Sequence, residues 1–155
     1  MRREENRLSE TEALEIVAQG EYGVLSLVDL EGNPYGLPIS YALKGKTIYL
    51  HGAREGKKIT LLNHKQEVCL TVVGPNELDS KNFTTKYASA IVYGKASFIE
   101  ERSAKIEALR LIVKKYSPAY KGEAEVAIDE AVDKTALIKI EIDEITGKSN
   151  RHLKR

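Results

Sequence analysis

The hydrophobic pattern switches along this chain between a period of two and a helical period, and the switches mark ten elements. Ser9-Glu10-Thr11-Glu12 is a capping box, and the helix it opens runs to Gly20, a C-cap glycine. Gly23 to Asp29 alternates as a strand, and Glu31-Gly32-Asn33-Pro34 turns it into a hairpin. Pro38-Ile39-Ser40-Tyr41 and Tyr49-Leu50-His51 are β-branched or aromatic runs, with Lys44-Gly45-Lys46 as the turn between them. Lys57-Lys58 open a short helix with Ile59 and Leu62 facing inward. Val68 to Val73 is a strand broken by Gly74-Pro75-Asn76, and residues 75–85 read as a polar loop. Tyr87 to Ile99 is a long strand, and Ser103 to Tyr116 a helix ended by Ser117-Pro118. Glu123 to Val132 is a second short helix, and Ala136 to Ile145 alternates as the last strand. Six strands without βαβ alternation predict a mainly β (α+β) domain, a small antiparallel barrel with flanking helices.

The chemistry concentrates after the second hairpin strand. Gly52 and Gly56 bracket Ala53-Arg54-Glu55, and two lysines follow at a helix start. Free backbone N–H groups and the positive end of a helix dipole favour an anion such as phosphate. The bland alternative is a solvated helix start, which a lone lysine pair usually is. G-x-x-x-G-K-K is not a nucleotide-triphosphate loop: it is one residue short and has Lys58 where a magnesium ligand is required.

Charge and composition exclude several other functions. There are 24 basic and 23 acidic residues, so no net field draws nucleic acid or an anionic membrane. The basic ends, Met1-Arg2-Arg3 and Arg151 to Arg155, read as solvated tails. Cys69 is the single cysteine, set in an apolar strand as a buried thiol, which rules out an internal disulfide. No apolar run reaches membrane-spanning length and the start lacks a signal core, so the expected location is the cytoplasm. His51, His64 and His152 share no metal-ligand spacing, and Ser26 and Ser89 lie on strands without a nucleophile elbow. His51 shares a face with Tyr49, opposite Leu50; an isolated strand histidine is more often a hydrogen-bonded structural residue than a ligand. Tyr35, Tyr41, Tyr49, Tyr87 and Tyr93 are strand aromatics that supply nearly all the aromatic surface, since tryptophan is absent.

The order Tyr35-x-Leu37-Pro38-Ile39-Ser40-Tyr41, then Tyr49-Leu50-His51-Gly52-Ala53-x-x-Gly56-Lys57-Lys58, resembles the pyridoxamine 5′-phosphate oxidase-like split-barrel flavoproteins. Within them it is most similar to the nitroimidazole-resistance (Nim) branch. Lys86 to Ala96 resembles the family's long strand, and Ile145-Thr146-Gly147-Lys148 the branch's closing motif, so the resemblance covers residues 1–148 as one domain, with 149–155 a basic tail.

That resemblance implies a six-stranded split barrel pairing into a homodimer, with flavin mononucleotide (FMN) at the subunit interface. Lys57 and Lys58 would hold the phosphate, Lys58 foremost. Backbone groups of Pro38, Ile39, Ser40 and Tyr41 would run beside the ring. Tyr49, His51 and Gly52 would flank the ring and its ribityl chain, and His51 is the one candidate proton donor. Ser89 stands where the oxidases place a glutamine reaching flavin from the partner, and Lys57 where they place an arginine. The oxidases' C-terminal tryptophan and arginine motifs have no match, which argues against vitamin B6 oxidation. The implied activity is an FMN-dependent oxidoreductase passing electrons from a nicotinamide donor to a small oxidant, nitroaromatics among them. The alternative is a module that binds flavin or haem without turnover, with His51 or His64 as the haem ligand.

Overall fold

The fold turns on Ser40, where one run of strand-forming residues bends and sends its two halves to opposite ends of the same sheet. In the computed structural model, which describes residues 4–150, eight strands form one antiparallel sheet. They are β1 (Arg7–Leu8), β2 (Gly23–Val28), β3 (Pro34–Ile39), β4 (Tyr41–Lys44), β5 (Thr47–Ala53), β6 (Glu67–Asp79), β7 (Thr84–Phe98) and β8 (Thr135–Ser149). The path is β3-β2-β6-β7-β8-β5-β4, with β1 paired to β8. Its two end strands are joined only by the chain at Ser40, with no ladder between them, so the barrel is split.

The count is eight strands where the sequence pattern predicts six. The bend at Ser40 makes two strands of the expected Pro38–Tyr41 run. β1 is two residues long and too short to show a period. The polar loop expected over 75–85 is also absent as such: β6 and β7 continue through it as a two-stranded arm, Asn76–Asp79 pairing with Tyr87–Thr84. A register shift between Val73 and Asn76 accommodates Pro75, which has no N–H to give a ladder. Both faces of the arm meet solvent, so no alternation of apolar residues marks it; Leu78 is 78% and Phe83 97% exposed.

Among the described residues four α-helices flank the sheet: α1 (Glu10–Gln19), α2 (Lys57–His64), α3 (Arg102–Tyr116) and α4 (Lys121–Ala131). The capping box of α1 is formed in full, with Ser9 N–H donating to Glu12 Oε2 at 2.8 Å and Glu12 N–H to Ser9 Oγ at 3.3 Å. Ala13 and Val17 of α1 enter the barrel core beside Leu25, Tyr41, Ile48, Leu50, Leu70, Val72, Val92, Ile138 and Ile140. Gly147 lets α1 lie close on β8, since a Cβ there would sit 2.8 Å from Ala13 Cβ. A second cluster forms where Leu137 faces out from β8 to meet Ala108 and Leu109 of α3, Ile128 of α4 and Val132 just beyond it. The buried positions of α3 are Ala108, Leu109 and Ile112, with Leu111 and Val113 half-buried beside them. Arg110 ties the two helices by a fork to Glu125, at 2.9 and 2.7 Å.

β8 runs on to Ser149, and Asn150 continues the contact through its side chain, which accepts from Tyr87 N–H and donates to the Thr85 carbonyl. The remaining tail positions and Met1–Arg3 lie outside the described residues. No helix among those described is long and apolar enough to cross a membrane.

Candidate functional site

α2 begins where β5 ends, and Gly56 makes that junction possible. Its φ of 106° lies in the region that favours glycine, and among the described residues no side chain caps the helix start. The chain therefore turns sharply from β5 into a helix N-terminus where Ile59 N–H is bonded to the Gly56 carbonyl at 2.9 Å, while the Lys57 and Lys58 N–H groups have no side-chain acceptor among the described residues.

Lys58 folds back from this start over the end of β5. A Cβ built on Gly52 would lie 2.5 Å from Lys58 Nζ, so glycine leaves the space that the ammonium occupies. His51 is the preceding residue and faces outward with Tyr49, while Leu50 points into the core. Lys58 is half-buried, and loss of water pulls its pKa below the usual lysine value. The His51 pKa is lowered too, first by the surrounding protein and then by the Lys58 charge, although the ring's surface is open to solvent. Both effects favour the neutral ring of His51 over the imidazolium. An anion between the two would reverse the Lys58 effect.

Lys57 points elsewhere. Its Nζ stands 4.7 Å from the centre of the Tyr35 ring on β3, and its charge reaches Asp29 in the neighbouring turn. The two lysines thus address different sides of the helix start, and Lys58 is the one gathered with His51 and Gly52. β3 ends the sheet path, so one edge of Pro38 and Ile39 has unpaired backbone groups, and Ser40 is exposed beside them. Extending the Tyr41–Leu50 register by one residue sets Ser40 next to His51.

Tyr41 and Ser89 lie apart from this cluster. The Tyr41 side chain is wholly buried and donates its hydroxyl to the Val17 carbonyl at 2.6 Å. Its backbone N–H donates to the Tyr116 hydroxyl at 2.9 Å, and that hydroxyl lies 2.9 Å from the Tyr41 carbonyl and 2.7 Å from the Glu21 carbonyl. Ser89 pairs with Lys148 and His51 with Leu137, eleven positions apart along β8. At the rise of a strand this is about 36 Å, beyond reach within one chain. Tyr49 packs against the α3–α4 cluster, Tyr87 lies near Lys148, and Tyr93 is exposed, so the tyrosines do not form one pocket wall. Cys69 is partly buried, and burial raises its pKa.

α3 adds residues that the sequence pattern does not single out. Lysine in a last helical turn ordinarily reads as a solvated partner of the dipole. Here Lys115 Nζ is covered, has no hydrogen-bond partner among the described residues, and lies 3.8 Å from the Tyr41 ring centre. Burial lowers its pKa from 10.5 to about 8. Between those values the unfolded chain holds a proton that the folded chain has released, so stability rises with pH there. Below about 8 both states are charged and the penalty is present in full. Lys115→Met is expected to be more stable than the parent at pH 7, on the order of 1–2 kcal/mol after discounting for partial exposure. The gain should shrink from pH 8 towards 10 in thermal melts. A pH-independent difference would contradict this.

Comparison with known proteins places the chain among relatives of the same fold. A family profile described as pyridoxamine 5′-phosphate oxidase matches residues 9–149. No curated protein matches the sequence. A crystal structure of a candidate 5-nitroimidazole antibiotic resistance protein from Bacteroides thetaiotaomicron is 30% identical, with a TM-score of 0.77 over 92% of this chain and 85% of that one. The flavocytochrome Anf3 of Azotobacter vinelandii has a TM-score of 0.81 at 24% identity, over 97% of this chain and 72% of its own. An FAD- and haem-binding protein of Mycobacterium smegmatis has a TM-score of 0.80 at 19% identity, over 92% and 72%. The last two share the fold.

Proposed function

The chain belongs to the pyridoxamine 5′-phosphate oxidase family, and from that membership we propose that it is a flavoprotein binding FMN at the junction of β5 and α2. The observation that carries this reading is the position of Lys58 Nζ over Gly52, beside His51, at a helix start with no side-chain cap. Those residues fit a terminal phosphate: a cation, the first two N–H groups of the helix, at Lys57 and Lys58, and a glycine that leaves room. The ring would lie along the open edge at Pro38 and Ile39 and beside Ser40, with His51 as a neutral hydrogen-bonding neighbour. The chemistry that flavin would supply there is two-electron transfer between a reduced nicotinamide and an oxidant, while the residues of this chain hold and orient it. Likeness to the Bacteroides protein supports a small nitroaromatic as one such oxidant.

A homodimer is part of this proposal. The separation of Ser89 and His51 along β8 supports a second copy as the one whose flavin Ser89 meets. A two-fold interface would repeat the arrangement and give two equivalent sites.

Titration with FMN and with riboflavin tests the phosphate assignment. FMN is expected to bind at least tenfold more tightly, because the two ligands differ only in the phosphate. Equal affinities would remove the reading. A Soret band in protein lacking flavin absorbance would favour haem.

A further inference from the structure

Lys115 borders a cavity of about 650 Å³ between the ends of α1 and α3, with Gln19, Glu21, Tyr22, Ser40 and Tyr116 on its walls. The Lys115 amine stands over the Tyr41 ring at 3.8 Å and lies 5.3 Å from the centre of the Tyr116 ring. Those ring faces offset part of its charge and supply no acceptor lone pair. The Tyr41 hydroxyl donates to the Val17 carbonyl, and the Tyr116 hydroxyl accepts from Tyr41 N–H and lies between the Glu21 and Tyr41 carbonyls; neither accepts from Lys115. A methionine would fill the same space with no ammonium to desolvate, so packing alone gives no reason for the amine. An oxygen anion entering the cavity would.

We propose that this cavity binds a small aromatic carboxylate, its ring against Tyr22 and Tyr116 and its carboxylate on Lys115. The Lys115 amine is covered over the Tyr41 ring, and it would have to turn off that ring to meet the carboxylate. Aromatic walls favour a planar ligand, and Glu21 opposes a second negative charge, which selects a monoanion. Ser40 belongs both to this wall and to the segment expected beside the flavin ring. The inference rests on the flavin reading and deepens it, naming an aromatic carboxylate as a class of ligand that competes with the oxidant for the space beside the ring.

Benzoate and its neutral isostere benzamide provide the test, titrated at pH 7 into the flavin-free protein and followed by NMR shifts. Benzoate is expected to bind at least tenfold more tightly, with shifts at Lys115, Tyr22 and Tyr116. Lys115→Met should erase the preference, while Lys114→Met, an equal change of net charge on the exposed side of α3, should keep it. The preference should also fade as the solution is raised past pH 8, where Lys115 loses its proton while benzoate stays charged. Equal binding of the two ligands, or a preference retained in a folded Lys115→Met protein, would overturn the proposal. Thermal melting confirms that this variant is folded. Failure here with FMN still bound leaves the flavin reading standing; a benzoate preference in a protein that ignores FMN does the reverse.

Discussion

Lys58→Ala is expected to weaken FMN binding about ten- to a hundredfold, while riboflavin binding stays unchanged. The side chain supplies a charge-assisted hydrogen bond at a partly desolvated site, worth on the order of 1.5–3 kcal/mol. Lys57→Ala should cost less, because the Lys57 amine faces the Tyr35 ring rather than Gly52. Isothermal titration of both ligands on both variants measures the four affinities. If Lys57→Ala proved the more damaging, the phosphate would lie on the β3 side of the helix start and the cluster at His51 would have another role. If riboflavin weakened as much as FMN, Lys58 would be supporting the shape of the junction instead of reading a charge.

Gly94→Ala is expected to destabilise the fold by about 3 kcal/mol, a large share of the stability of a domain of this size. Gly94 sits at the register shift between β7 and β8, where Tyr93 pairs with Glu144 and Gly94 with Ile142. A Cβ there would collide with the backbone carbonyl oxygen of Glu141 and stand 3.0 Å from Ile140 Cγ2. A backbone oxygen held in a ladder cannot rotate away as a side-chain tip can, so the strands themselves must part. Gly122→Ala, where a Cβ meets nothing within 4 Å near the start of α4, is the matched control and should be neutral or slightly stabilising. Thermal melts of the two variants should differ by roughly 6–12 °C. Coincident melts would mean that the close approach of β7 and β8 at this bulge does not hold.

Sequence alone determined the local elements whose signal is carried by neighbours in the chain. The capping box at Ser9, the turns at Gly32 and Gly45 and the face shared by Tyr49 and His51 all appear as read, because each depends on a few consecutive residues. The lysine-bearing helix start was legible for the same reason, since glycine, glycine and lysine at fixed spacing state their backbone geometry directly. Tertiary structure alone decided the rest. The bend at Ser40, the two-residue β1 and the solvent-washed arm of β6 and β7 leave no periodic trace, for a strand need alternate only when one face is buried. Lys57 and Lys58 are adjacent and chemically identical, yet only their directions from the helix, towards Tyr35 and towards Gly52, separate them. Lys115 was hidden most completely: its sequence neighbours are those of a solvated helix end, and its burial comes from Tyr41, seventy-four residues away along the chain. Burial is a property of what packs across a residue, and periodicity along one element reports only which side it faces.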